Sequence, residues 1–286
     1  MKIGCGEWGF RKLPLQEHFE IAKKLGFSIM EIGIGGGQVG RLPDQMSQKQ
    51  INTFRRLRNN YDITTPFCCI ENDFTLPCPD SHIVMLEKTL TQIKYASELD
   101  ATHVRLFAGF TPANQMNEAI WSRLLNAFNQ CADRCDQLGL TIAVETHGQI
   151  TQASDGSAMH THTVSTDRIS LQRLLDELPT QIGFNYDPGN IKAVNPDDHR
   201  YCLDLLDARI NYCHLKDWRR TDKGWAAVAP GDDDLDYATL LSKMSFDGVY
   251  LIEYEPTEDV LDGIRRSLTY LQHINLVLEM SHGVGQ

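Results

Sequence analysis

Residues 185–191 read NYDPGNI and residues 211–218 read NYCHLKDW. In each, a short apolar run ends in a side chain able to bind a metal: IGFNY (182–186) ends in Asp187 and RINYC (209–213) in His214. Working outward, LTIAVETHG (140–148) ends in Glu145 and His147, and GVYLIEYEP (248–256) ends in Glu253 and Glu255. Four successive strand candidates therefore deliver Glu, Asp, His and Glu to one level. Strands that end in ligands at similar intervals, each followed by a helical pattern, are what a parallel α/β barrel needs to gather distant residues at its carboxyl-end face.

The remainder of the chain continues that alternation. KIGCGEW (2–8) reads as a strand ending at Glu7 and Trp8, after which Leu15, Phe19, Ala22 and Leu25 recur at helical spacing up to Gly26. Further strands are expected at 28–34, 63–70 (ending near Glu71), 102–107, 141–145, 182–187, 210–215 and 248–254. The intervening helices fall at about 47–60, 81–99, 117–138, 166–178, 196–207, 235–243 and 259–278 by their apolar stripes. Alternation along THVRLF (102–107) puts His103, Arg105 and Phe107 on one face. Eight β-α units with no linker-like break predict an α/β fold, a single (β/α)8 TIM barrel forming one domain over 1–286. An open doubly wound sheet is the alternative, because periodicity does not show closure. Gly35, Gly36 and Gly37 lack a phosphate-loop pattern and read as a βα loop. Residues 148–164 are polar, carry no period and leave directly from the strand of Glu145, so a long lid-like loop is expected there, with His160 and His162 solvated.

The chain has 286 residues, 42% of them hydrophobic and 23% charged, with a net charge of -11. That balance supports a sizeable core and opposes nucleic acid as a partner, since a polyanion needs a basic face. The eight cysteines form no paired framework and read as reduced thiols. The start MKIG goes straight into a strand and no apolar run approaches a membrane span. The expectation is a cytoplasmic protein with no membrane partner, acting on a small molecule, with a homodimer or homotetramer open to it.

Three carboxylates and one imidazole form a hard-to-borderline donor set. It suits a divalent ion with open coordination positions better than a closed structural zinc, which would use thiolates. One Asp after a strand is usually a cap and one His usually a hydrogen-bonding residue; four successive strand ends each carrying a donor point to a common ion.

The patterns VETHG (144–148), NYDPGN (185–190), HLKD (214–217) and IEYE (252–255), with DATHVRLFAG (100–109), resemble those of the xylose-isomerase-like sugar isomerase and epimerase superfamily. The likeness spans nearly the whole chain in the same order. It implies one divalent ion held by Glu145, Asp187, His214 and Glu253, with Mn²⁺ the first choice and Mg²⁺, Co²⁺ or Zn²⁺ as alternatives. It also implies that Glu145 and Glu253 act as an acid/base pair on a keto-sugar or related polyol through an enediolate. Strand phase offers His147, in step with Glu145, and Lys216, in step with His214, as substrate contacts, with Arg105 and Trp8 as further candidates; the resemblance adds Asn190 and either Arg219 or Arg220. Asn190 stands where some epimerases of the family have His. A dehydratase of the same superfamily, expelling water from the same enolate, is the alternative. A multi-zinc nuclease is opposed by the acidic charge and by the lack of the additional His and acidic ligands it needs.

Overall fold

The structure, a computed structural model, describes residues 1–154 and 157–283, with residues 276–283 described in backbone only. The tip of the expected lid, residues 155–156, and the end of the expected domain, 284–286, lie outside the described residues. The first strands are β1 (Lys2–Cys5), β2 (Ile29–Ile34), β3 (Thr64–Ile70), β4 (His103–Phe107) and β5 (Thr141–Glu145). Then come β6 (Gln149–Gln152), β7 (Ala158–Thr161), β8 (Gly183–Tyr186), β9 (Ile210–Leu215), β10 (Asp217–Thr221), β11 (Gly224–Val228) and β12 (Val249–Ile252). The helices are α1 (Leu15–Lys24), α2 (Gln48–Tyr61), α3 (Pro79–Glu98), α4 (Glu118–Leu138), α5 (Arg168–Glu177), α6 (Pro188–Val194), α7 (Leu203–Leu206), α8 (Tyr237–Leu241) and α9 (Val260–Gly283).

Eight of the strands close a parallel barrel in the order β1-β12-β9-β8-β5-β4-β3-β2. Closure rests on the pairing of β1 with both neighbours, Lys2–Cys5 against Val249–Ile252 on one side and Cys5 against Met30 on the other. The open-sheet alternative is thereby removed, and the fold is a single (β/α)8 barrel. Strands covered on both faces must be apolar throughout, and β2 (IMEIGI) obeys this except at Glu31, which is fully buried. Between strands and helices lies the main core, including Phe19, Met30, Phe74, Phe128 and Phe184. Inside the barrel a smaller layer of Phe67, Ala143, Tyr212 and Leu251 fills the floor.

Local signals place the helix starts. Ser47 and Gln50 form a reciprocal capping box on α2, Asn117 accepts from Ala119 N and Ile120 N ahead of α4, and Asp167 caps α5. Gly35, Gly36 and Gly37 all adopt φ near +80° (82°, 80° and 74°), a left-handed path that other residues enter at a cost. That run is a shaped βα loop, as expected.

Three expected elements differ. The first strand ends at Cys5, and Trp8–Phe10 form a short 3-10 helix that carries Trp8 over the barrel mouth. The helix expected at 196–207 instead starts at Pro188, directly after β8, because Asp187 supplies the N-cap and Pro188 the N1 residue; only Leu203–Leu206 remains of the later segment. The segment 148–164 is not structureless. It contains the β6–β7 hairpin, and the chain after β9 forms a second hairpin, β10–β11; the two join through Trp225 and Ala158 into a four-stranded sheet ordered β10-β11-β7-β6. A composition of Gln, Thr and Ser conceals a hairpin whose apolar support, Trp218, Trp225 and Ala193, comes from elsewhere in the chain. Among the described residues no helix is long and apolar enough to cross a membrane.

Candidate metal centre and catalytic site

Register delivers the four donors to one level. Glu145 ends β5 and pairs with Phe107 and Asn185 on the flanking strands; His214 pairs with Leu251, and Glu253 follows Ile252, the partner of Leu215. Asp187 follows β8 and does double duty. Its Oδ1 accepts from Asn190 N at 2.9 Å as the α6 cap, while Oδ2 lies 2.9 Å from Asn190 Nδ2 and 3.6 Å from Lys216 Nζ. Gly189 lets α6 sit this close to the next strand end, since a Cβ there would stand 2.4 Å from Lys216 O.

One ligand atom each from Glu145, Asp187, His214 and Glu253 lies within 4.8 Å of all the others, and all four residues are buried. Donors held about 2.0–2.6 Å from a single ion cannot be separated by more than about 5 Å, so the set fits one divalent cation. A second observation agrees. Glu145 Oε2 and Glu253 Oε2 are buried without a well-directed hydrogen bond, although Arg105 Nε stands 2.9 Å from the first and Lys216 Nζ 2.6 Å from the second. A carboxylate oxygen has two lone pairs, so each of these oxygens can meet its neighbouring cation and still coordinate an ion.

The orientation of His214 is set from behind. Its Nε2 lies 2.7 Å from Glu31 Oε1, which also accepts from Tyr212 OH, while Glu31 Oε2 accepts from Glu7 N at 3.0 Å. Asn185 Oδ1 accepts from His214 N at 2.9 Å. With Nε2 engaged by Glu31, Nδ1 meets the Asn185 Nδ2 amide at 3.0 Å and also faces Glu253 Oε2 at 3.4 Å and Glu145 Oε2 at 3.7 Å.

Burial and packed charge divide the titrating groups. Burial, reinforced by Glu253, pushes Glu145 up to about 8 against the pull of Arg105. Burial likewise raises Asp187 to about 6, opposed by Lys216. At Glu253 burial is outweighed by His214, Lys216 and Arg105, which hold the carboxyl well below its ordinary range. His214 is disfavoured by burial yet raised to about 10 by Glu253 and Glu31.

The mouth of the barrel holds a cavity of about 140 Å³ above the donors. Glu145 and Glu253 line it; Asp187 and His214 do not. Its walls include Trp8, Arg105, Phe107, Phe110, His147, Ile150 and Lys216. Arg105 stacks over Phe107 at 3.9 Å and lies 4.0 Å from Glu71, which meets Arg41 at 2.9 Å; Arg41 in turn meets Glu7 at 2.7 Å. Lys216 bridges Glu253 and Glu255, and Glu255 accepts from Trp8 Nε1 at 2.8 Å. His147 packs between Phe107 and Phe110, with Nδ1 2.6 Å from Gly148 O.

Of the residues expected from sequence to touch substrate, the structure brings Trp8, Arg105, His147 and Lys216 to the cavity. Asn190 is buried beneath it, its amide donating to Glu145 Oε1 at 3.1 Å and to Asp187 Oδ2, so it holds two donors together instead of lining the wall. Arg219 is elsewhere: exposed on β10, it bonds Asp232 O and pairs with Asp233 at 3.4 Å, because strand alternation turns it away from the face of Trp218. Sequence reasoning missed Glu31, Tyr212, Asn185, Phe110 and Ile150. For Glu31 a signal existed, a lone carboxylate inside an otherwise apolar strand of a parallel sheet.

Among solved structures of the same shape are the IOLI protein with a binding zinc atom (TM-score 0.74, 15% identity, 96% of this chain and 98% of that one) and L-ribulose 3-epimerase (0.73, 11%, 100% and 99%). The probable 3-DHS dehydratase AsbF from Bacillus anthracis is a third (0.70, 15%, 95% and 99%). At such identities the likeness establishes the fold alone. No curated protein matches the chain in sequence. A sequence model described as the xylose isomerase-like TIM barrel matches residues 19–273, and the chain belongs to that family.

Proposed function

We propose that this protein is a divalent-metal-dependent isomerase or epimerase of a keto-sugar or related polyol, with Glu145 and Glu253 transferring protons at a carbon beside the carbonyl. One observation carries the proposal: of the four donors, only these two glutamates also line the cavity. They come from β5 and β12, which are separated in the barrel by β8 and β9, so they meet a bound molecule from different sides. A divalent ion held by Glu145, Asp187, His214 and Glu253, with Mn²⁺ the first candidate, would supply a Lewis acid that draws charge from the carbonyl and neighbouring hydroxyl oxygens.

The chain's own groups do the rest. Arg105 and Lys216 steady the two carboxylates, and each glutamate can accept a proton from, or return one to, the carbon it faces. Trp8 offers an apolar face at the rim while its N–H is committed to Glu255. Phe107, Phe110, Ile150 and His147 keep water from that carbon and position the substrate.

The test is incubation of metal-loaded protein with ketoses of increasing length in D₂O. Deuterium entering at C1 indicates isomerisation and at C3 epimerisation, whereas loss of water moves the activity to the dehydratase class. No exchange at any carbon with any ketose or polyol ketone overturns the proposal.

A further inference from the structure

The hairpin sheet carries polar side chains that the donor quartet does not use. β6 and β7 are antiparallel, and Ile150 pairs with His160, so their side chains leave the hairpin on the same face. Ile150 lines the cavity. His160 is half-buried beside it, edge-to-face against Trp218 with 4.6 Å between ring centroids, and not the solvated loop residue expected from sequence. Neither ring nitrogen of His160 meets a hydrogen-bond partner among the described residues, and the same is true of Trp218 Nε1, although all three atoms are shielded from solvent. Each buried polar atom left unpaired costs roughly 1–3 kcal/mol, so three on two touching rings mark a place built to receive a polar group.

The pair is joined to the cavity through Ile150, the cross-strand partner of His160; neither ring is itself among the residues that line it. Burial, followed by the Lys216 ammonium, lowers the imidazole to about 3, and the imidazole itself helps to lower His147. A neutral imidazole offers one donor and one acceptor, and the indole adds a donor. That combination matches an alcohol and supplies no charge for a phosphate.

We propose that His160 and Trp218 form an outer substrate subsite that takes a hydroxyl-bearing carbon of the polyhydroxy chain remote from Glu145 and Glu253. This rests on the isomerase reading for the identity of the substrate, but not for the existence of the subsite. Two hairpins meet to make it, Trp218 from β10 and His160 from β7, joined where Trp225 pairs with Ala158.

Two variants isolate it. His160→Phe keeps a ring against Trp218 and removes both nitrogens; His160→Gln restores a donor and an acceptor. With metal-loaded protein, His160→Phe should raise KM for a six-carbon ketose roughly three- to tenfold, the worth of one neutral hydrogen bond. It should leave kcat unchanged and a four-carbon ketose unaffected, and His160→Gln should recover part of the loss. An equal loss at every chain length, or none with the six-carbon ketose, overturns the proposal. Binding is followed separately by titrating isotope-labelled protein with a hexitol and watching the Trp218 indole and His160 imidazole resonances. Shifts there without turnover of any ketose would keep the subsite and refute the isomerase reading; no shift refutes the subsite whatever the turnover.

Discussion

Glu145 and Glu253 belong to both the donor quartet and the cavity wall, whereas Asp187 and His214 belong to the quartet alone. Substitutions should therefore separate into two kinds. Glu145→Gln or Glu253→Gln keeps an oxygen donor of the same shape and deletes a proton acceptor, so kcat should fall by about 10²–10⁴ with the ion still bound at reduced affinity. Asp187→Asn and His214→Asn should mainly lose the ion and recover in excess Mn²⁺. Rescue of all four variants to the same extent would make the glutamates ligands only. Glu31 acts one step further back. Its carboxylate engages His214 Nε2 and leaves Nδ1 toward the donors, so Glu31→Gln should weaken metal binding about 10- to 100-fold in a chelator competition titration. Unchanged affinity there would show that packing alone aims the imidazole.

At the scale of elements, α1 is tied to the 3-10 turn that carries Trp8. His18, buried on α1, reaches Phe10 O at 2.9 Å and Leu13 O at 3.0 Å through Nε2 and stacks on the Phe10 ring at 4.8 Å. Burial lowers its pKa from 6.5 to about 4. Because the folded value is the depressed one, the contribution is complete above about pH 6.5. It is lost as pH falls toward 4, where the unfolded chain binds the proton that the folded chain refuses. The loss runs at about 1.4 kcal/mol per pH unit, to a total of about 3 kcal/mol. Denaturant unfolding of wild type and His18→Gln should show the wild-type advantage narrowing through that window. A constant difference from pH 7 to 4.5 would mean that His18 stays protonatable in the fold. The two inserted hairpins behave as one further element, since β6–β7 is supported by tryptophans on β10 and β11.

For the molecule as a whole, four donors drawn from β5, β8, β9 and β12 mean that one ion would tie together half of the barrel's strands. A ligand that binds only the folded state stabilises it by about 2.7 kcal/mol at a hundred times its Kd. For a domain of this size that is a rise in Tm of roughly 4–5 °C, reversed by chelator. Thermal melts with and without Mn²⁺ or Zn²⁺ test it, and Asp187→Asn should abolish the shift. A metal-independent melt with an intact quartet would count against the centre.

The sequence by itself determined the eight β-α units and the four donor residues at successive strand ends, while closure into a barrel was left to the pairing of β1 with β12 and β2. Apolar runs of strand length alternate with helical stripes, and each of four consecutive runs stops at Glu145, Asp187, His214 or Glu253; both signals are local and survive without any knowledge of pairing. The early start of α6 is legible too, in Asp187-Pro188, where a capping residue precedes a proline suited to the first helical position. Tertiary structure decided the rest. Glu31 meets His214 across 183 residues and Arg105 meets Glu145 across the β4–β5 register, contacts that exist only because the barrel closes. Arg219 and His160 exchanged their expected places, the first outward to Asp232 and Asp233, the second inward against Trp218. Whether a polar side chain on a hairpin faces the cavity or solvent depends on which strand pairs with which, and a sequence of alternating polar residues has no apolar face to declare it.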